Sequence, residues 1–109
     1  VNVKHEMDIM VEETFGPVVG IMKVKDDADG VRMMNDSIYG LTASIWTKDI
    51  DRGISLGDHT KTGTCFISRC DYLDPALAWS GIRNSGKGIT LSSLGYGPLT
   101  RTKSFHAKV

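Results

Sequence analysis

The sequence predicts an α/β fold: a partial parallel sheet in β-α-β-α-β order, then an irregular C-terminal segment and a terminal edge strand. Three observations carry this reading. Apolar, β-rich runs recur at residues 18–24, 41–47 and 64–68. Stretches with helical spacing and aspartate N-cap candidates lie between them. The links are short, and that alternation favours parallel pairing through right-handed crossovers.

Val18-Val19-Gly20-Ile21-Met22-Lys23-Val24 is β-branched and mostly apolar, as a buried strand would be. Asp26 and Asp27 are candidate N-caps for a short helix with Ala28, Val31 and Met34 on one face. Gly30 inside it costs up to about 1 kcal/mol relative to alanine, so this helix depends on tertiary packing. Asn35-Asp36-Ser37 stops it, and Tyr39-Gly40 turns the chain into a strand with Leu41, Ala43 and Ile45 on one face. Asp49 caps a second helix with Ile50 and Ile54 one turn apart, and Thr62-Gly63 leads into the third strand. From Asp71 to Asn84 there is no clear periodicity, and Ser85-Gly86-Lys87-Gly88 reads as a flexible, close-approach loop. At the end Phe105, Ala107 and Val109 alternate with polar residues, the pattern of an edge strand. Parallel sheets are covered on both faces. Three strands and two short helices cannot do that in 109 residues, so the unit is expected to pack against more protein.

Thirteen basic and thirteen acidic residues cancel, which gives no electrostatic argument for nucleic acid or an anionic membrane. No apolar run approaches the roughly 20 residues that span a bilayer. The polar start, Val1-Asn2-Val3-Lys4-His5-Glu6, has no signal-peptide pattern and no initiator Met, as expected of an internal or trimmed piece. An extended chain between Cys65 and Cys70 would span roughly 16 Å, too far for a disulfide. Two reduced cysteines and a cytoplasmic location are therefore expected. No third or fourth ligand stands at zinc spacing, and His5, His59 and His106 are far apart, so no metal is expected.

Glu13 and Phe15 stand in Val11-Glu12-Glu13-Thr14-Phe15-Gly16-Pro17-Val18. A ribose diol needs a carboxylate acceptor and a nicotinamide ring needs an apolar wall, and these two side chains could supply both. The alternative is a polar turn before a strand, with Phe15 in the core. Gly81-Ile82-Arg83-Asn84-Ser85-Gly86-Lys87-Gly88 nearly matches a phosphate-binding loop. Gly88 stands where the Mg²⁺-binding hydroxyl belongs, and no strand before or helix after is evident, which excludes nucleotide hydrolysis by that device.

Four blocks, in order and at the right approximate spacing, resemble the aldehyde dehydrogenase family. Glu13-Thr14-Phe15-Gly16-Pro17 resembles its Glu-x-Phe-Gly-Pro motif. Asn35 to Ile45 resembles Asn-x-x-x-Tyr-Gly-Leu-x-Ala-x-Val, and Gly63-Thr64-Cys65-Phe66-Ile67-Ser68 resembles Gly-Thr-Val-x-x-Asn. Trp79 to Gly88 is similar to aromatic-Gly-Gly-x-Lys-x-Ser-Gly-x-Gly, with Ser85 and three of the four glycines matched. Departures are Ser68 for Asn, Ser80 for Gly, Arg83 for Lys, and Ile89-Thr90 for the usual Arg-Glu.

The resemblance implies that residues 1–99 are the C-terminal portion of that family's catalytic domain and 100–109 a terminal oligomerisation-type strand. Glu13 and Phe15 would contact the ribose and nicotinamide of NAD or NADP, and Trp79 and Leu73 would line the aldehyde tunnel. In such enzymes a cysteine thiolate attacks the aldehyde, hydride passes to the cofactor, and a glutamate base activates water. Neither the nucleophile's Gly-Gln-x-Cys context nor the base's Glu-Leu-Gly-Gly context occurs here, so the chain holds no catalytic residue and is expected to be inactive alone. Its expected partners are the remainder of an aldehyde dehydrogenase chain or further copies of itself, as a homo-oligomer. A second class of function stays open: an independent, non-catalytic module that self-associates or binds a partner.

Overall fold

The structure, a computed structural model, describes residues 2–70 and 72–109; Asp71, the first residue of the segment read as irregular, lies outside them. The elements run α1 (Asp8–Val11), α2 (Asp27–Asn35), β1 (Thr42–Ile45), α3 (Ile50–Gly57), β2 (Thr64–Ile67), β3 (Trp79–Ser80) and β4 (Ile89–Thr90). Two 3₁₀ turns, Arg83–Ser85 and Ser93–Leu99, complete the set. No helix among the described residues is long and apolar enough to cross a membrane.

Both expected caps are formed. The Asp26 carboxylate accepts from the Asp29 N–H at 2.8 Å, and that of Asp49 accepts from the Arg52 N–H at 3.0 Å. Each satisfies one orphan donor of its helix, a contribution of about 1 kcal/mol. The helices are linked by an exposed Arg52–Asp27 ion pair at 2.6 Å, which contributes less than about 1 kcal/mol.

The helical faces differ from those the apolar spacing suggests. In α2, Ala28 and Met34 are exposed and only Val31 is half-buried. The side toward the preceding segment carries Gly30, Met33 and part of Met34, and an added Cβ on Gly30 would lie 3.6 Å from Val24. In α3, Ile50 and Ile54 remain half exposed. The stripe that meets the strands is Gly53 and Gly57: a Cβ on Gly53 would lie 2.9 Å from Ile67, and one on Gly57 3.0 Å from the Cys65 sulfur. Glycines let the helix backbone approach the sheet closely, while Ile50 and Ile54 stay half exposed.

β1 and β2 pair in parallel, with Ala43 opposite Cys65 and Ile45 opposite Ile67, and α3 forms the crossover. β3 and β4 form a separate antiparallel pair, Trp79 opposite Thr90 and Ser80 opposite Ile89. The α/β architecture with a small parallel sheet is therefore as the sequence predicts, but its two outer strands are not formed. Residues 18–24 pair with nothing among the described residues, and Val19 and Ile21 are about four-fifths exposed. Residues 100–109 contain no strand and are exposed throughout. A strand exists only where a neighbour completes its ladder, and the described residues supply none at either place.

Phe66 is the sole buried large apolar residue among those described. The accessible surface is 9158 Å², whereas a compact monomer of this mass exposes roughly 5,900 Å². The radius of gyration is 18.5 Å, against about 13 Å for a compact domain of this length. The fold thus leaves apolar faces that a self-sufficient domain would cover.

One acidic side chain is tuned by its surroundings. The Asp29 carboxylate is held below its ordinary value of 3.8, first by the Arg32 guanidinium at 2.7 Å and then by the Lys25 backbone N–H. Because the folded value is the lower one, this stabilisation is present at neutral pH and is lost as pH falls through the depressed value. Asp29→Asn is expected to lower stability near neutrality and to converge with the parent in strong acid. Urea unfolding at stepped pH checks this, and parallel pH curves would rule it out.

Candidate functional site

Two adjoining clefts share the walls Leu41 and Ser85. The larger, about 610 Å³, lies between the chain after α1 and the turn that feeds β1. Glu12 and Glu13 form one side, Ser37 and the run Tyr39–Thr42 the other, and Thr62, Asn84 and Ser85 close it. The smaller, about 350 Å³, runs between β3, the loop 85–90 and Pro98, with Trp79 in its wall.

The turn at Tyr39-Gly40 sits where it does because backbone crosses backbone there. The Gly40 carbonyl accepts from the Gly63 and Ile82 N–H groups, both at 3.1 Å. A Cβ on Gly40 would lie 2.5 Å from Ile82 and 2.6 Å from the Lys61 carbonyl. A Cβ on Gly63 would collide with the Ser80 carbonyl. The glycines of the second and third sequence blocks are thus close-approach positions. Past β3, Gly86 and Gly88 have φ values of 114° and 111°, a region that side chains disfavour, and they turn the chain back into β4.

Of the four residues the sequence singles out, two reach these clefts. Glu13 lines the larger and half-buried Trp79 lines the smaller. Phe15 is 96% exposed and borders neither, so the alternative that places it in the core is overturned: nothing among the described residues covers it. Leu73 is also exposed and outside both clefts. Ser85, common to both, was visible as the matched serine of the fourth block but not as a wall of the site. Tyr39 was visible only as part of the turn. The larger cleft is lined by two glutamates and by serine, threonine and tyrosine residues, a donor and acceptor set suited to a polyhydroxylated ligand.

Ser68, which replaces the resembling pattern's Asn, is committed elsewhere. It has φ 53°, and its hydroxyl donates to the Thr47 carbonyl at 2.6 Å and accepts from the Thr47 N–H at 3.3 Å. Cys65 is half-buried and Cys70 exposed, and both are free thiols. Among the described residues no group of His, Cys, Asp and Glu is arranged to hold a metal ion.

The sequence profile of the aldehyde dehydrogenase family matches residues 1–105. The chain belongs to the aldehyde dehydrogenase family. Human aldehyde dehydrogenase 1A1 is 35% identical over 108 residues, 99% of this chain and 22% of the human protein. The mitochondrial aldehyde dehydrogenase of Leishmania tarentolae is 35% identical over 105 residues, 96% of this chain and 21% of its own length. Among solved structures, betaine aldehyde dehydrogenase from Staphylococcus aureus in complex with NAD+ matches with a TM-score of 0.82 at 33% identity. That match covers 86% of this chain and 19% of the other. The Mycobacterium tuberculosis aldehyde dehydrogenase complexed with NAD+ gives a TM-score of 0.82 at 37% identity over the same shares. The resemblance read from four sequence blocks is borne out, and this aldehyde dehydrogenase chain spans about a fifth of the length of the curated relatives it matches.

Proposed function

We propose that this chain is the C-terminal part of the catalytic domain of an NAD(P)-dependent aldehyde dehydrogenase, oxidising an aldehyde to a carboxylic acid. In that reading it contributes cofactor contacts and part of the substrate tunnel. The observation that carries this is Glu13 in a cleft whose opposite wall is rich in hydroxyls. A carboxylate facing a ribose can accept from both of its hydroxyls, and the neighbouring serine and threonine hydroxyls can complete the set. That two similar structures were solved with NAD+ supports the choice of ligand. Phe15, two residues on and exposed, is free to stand against a nicotinamide ring. Trp79 in the adjoining cleft and Leu73 beyond it would form the aldehyde wall. Residues 1–99 make up this portion, and 100–109 would become a strand only on a neighbouring sheet edge, as part of a homo-oligomer. The two free thiols suit a reducing, cytoplasmic setting.

The reaction's nucleophile and base would come from other parts of the protein. The chain alone is therefore expected to form no NADH from an aldehyde.

The test is a titration of the purified chain with NAD+, followed by tryptophan fluorescence and calorimetry together. Saturable binding is expected, and Glu13→Gln should weaken it by about tenfold, the loss of charge-assisted hydrogen bonds. Absence of binding at millimolar cofactor in the wild-type chain would overturn a preformed site and mean that the site needs the rest of the protein, leaving this chain by itself as a structural or assembly piece. The excess exposed surface favours a second reading, a non-catalytic module that self-associates or binds a partner. A monodisperse monomer in light scattering would count against self-association.

A further inference from the structure

The wall of the larger cleft opposite Glu13 is the turn that follows α2, and two side chains from the loop after β3 hold it. Arg83 donates through Nη1 to the carbonyl of Asn35, the last residue of α2, at 2.9 Å, and also to the Ser37 carbonyl. A cation at that place meets carbonyls with no partner within the helix and the negative end of its dipole. The hydroxyl of Ser85 accepts from the Gly40 N–H at 3.0 Å, and the Asn84 N–H donates to the Ile38 carbonyl at 3.0 Å. The turn is thus clasped at Asn35, Ser37, Ile38 and Gly40 by three consecutive residues of one loop. Arg83 makes this clasp from a φ of 55°, outside the conformations its side chain favours. Arginine occupies the position where the family signature carries lysine. A planar guanidinium keeps two acceptors in a fixed relation, whereas an ammonium is a single swivelling donor group.

We propose that Arg83 and Ser85 are positioning residues that fix the turn facing Glu13. Because Ser85 and Leu41 line both clefts, the same clasp ties the shape of the Glu13 cleft to that of the Trp79 cleft. The effect on cofactor binding rests on the reading of the larger cleft given above, while the clasp can be tested independently.

The experiment is residue-resolved amide hydrogen exchange on the full chain and on Ser85→Ala, Arg83→Gln and Arg83→Lys, with an NAD+ titration of each. Ser85→Ala is expected to speed exchange at Gly40 by about tenfold, and Arg83→Gln to do so across residues 37–40, while α3 and the β1–β2 pair stay unchanged. Arg83→Lys should fall between the parent and Arg83→Gln. NAD+ affinity should drop in the same order. Exchange unchanged at Gly40, or raised equally in α3, would overturn the clasp. A local change in exchange with unaltered NAD+ affinity would overturn its link to binding. If the parent chain binds no NAD+ yet local exchange responds, a preformed cofactor site in this chain alone fails and the positioning of the turn stands.

Discussion

Gly63→Ala is expected to undo the junction where β2 leaves the turn and passes β3. The added methyl would fall within the van der Waals envelope of the Ser80 carbonyl carbon and oxygen, and 3.0 Å from the Gly81 nitrogen. All three are backbone atoms, so no rotamer change can make room. The Gly63 N–H would leave the Gly40 carbonyl as the strands parted, and the cleft wall would move with it. Overpacking typically costs 1–3 kcal/mol; a clash with fixed backbone belongs at the upper end, about 3 kcal/mol or more. Small domains have about 5–15 kcal/mol in total, so the urea midpoint should fall sharply. Gly16→Ala is the control, since a methyl there meets nothing within 4 Å. Equal midpoints for the two variants would refute the close-approach account.

Phe66→Ala is the second large effect. Phe66 sits mid-way along β2 and is 9% exposed, the whole of the buried large-residue core among the described residues. Truncating a core phenylalanine removes its transfer free energy and leaves a cavity, together about 3–5 kcal/mol. The lower figure applies here because the surroundings are open enough to collapse. Loss of a cooperative thermal transition is the expected result. Phe105→Ala should shift that transition little, because Phe105 is 86% exposed, with the Lys103 ammonium 5.0 Å from its ring centroid. Comparable losses in both variants would show that Phe66 anchors nothing.

What the sequence discloses about this fold follows the range of the interaction concerned. Asp26 and Asp49 could be read as caps because capping involves an aspartate and an amide three residues later. β1 and β2 were legible because both members of the pair lie in the chain, joined by a helix of the right length. Residues 18–24 have the same β-branched composition, yet strand chemistry without a strand neighbour gives no strand. The orientation of α3 was hidden for another reason. Apolar spacing points to Ile50 and Ile54, but contact with the sheet is made through Gly53 and Gly57, whose lack of a side chain leaves no trace in a hydrophobic pattern. At the site, Glu13 and Trp79 were legible through family motifs, whereas the clasp by Arg83 and Ser85 depends on residues about 45 positions apart in sequence.

The unpaired run at 18–24 also bears on how this polypeptide behaves in a tube. Val-Val-Gly-Ile-Met-Lys-Val has seven residues, one charge and no proline, and its backbone amides and carbonyls are not engaged in a ladder. Two such runs from different molecules can satisfy each other, the first step of cross-β stacking. Soluble yield of the isolated chain should therefore fall as its concentration rises, with the lone Lys23 the one charge that resists stacking and a natural place to add more.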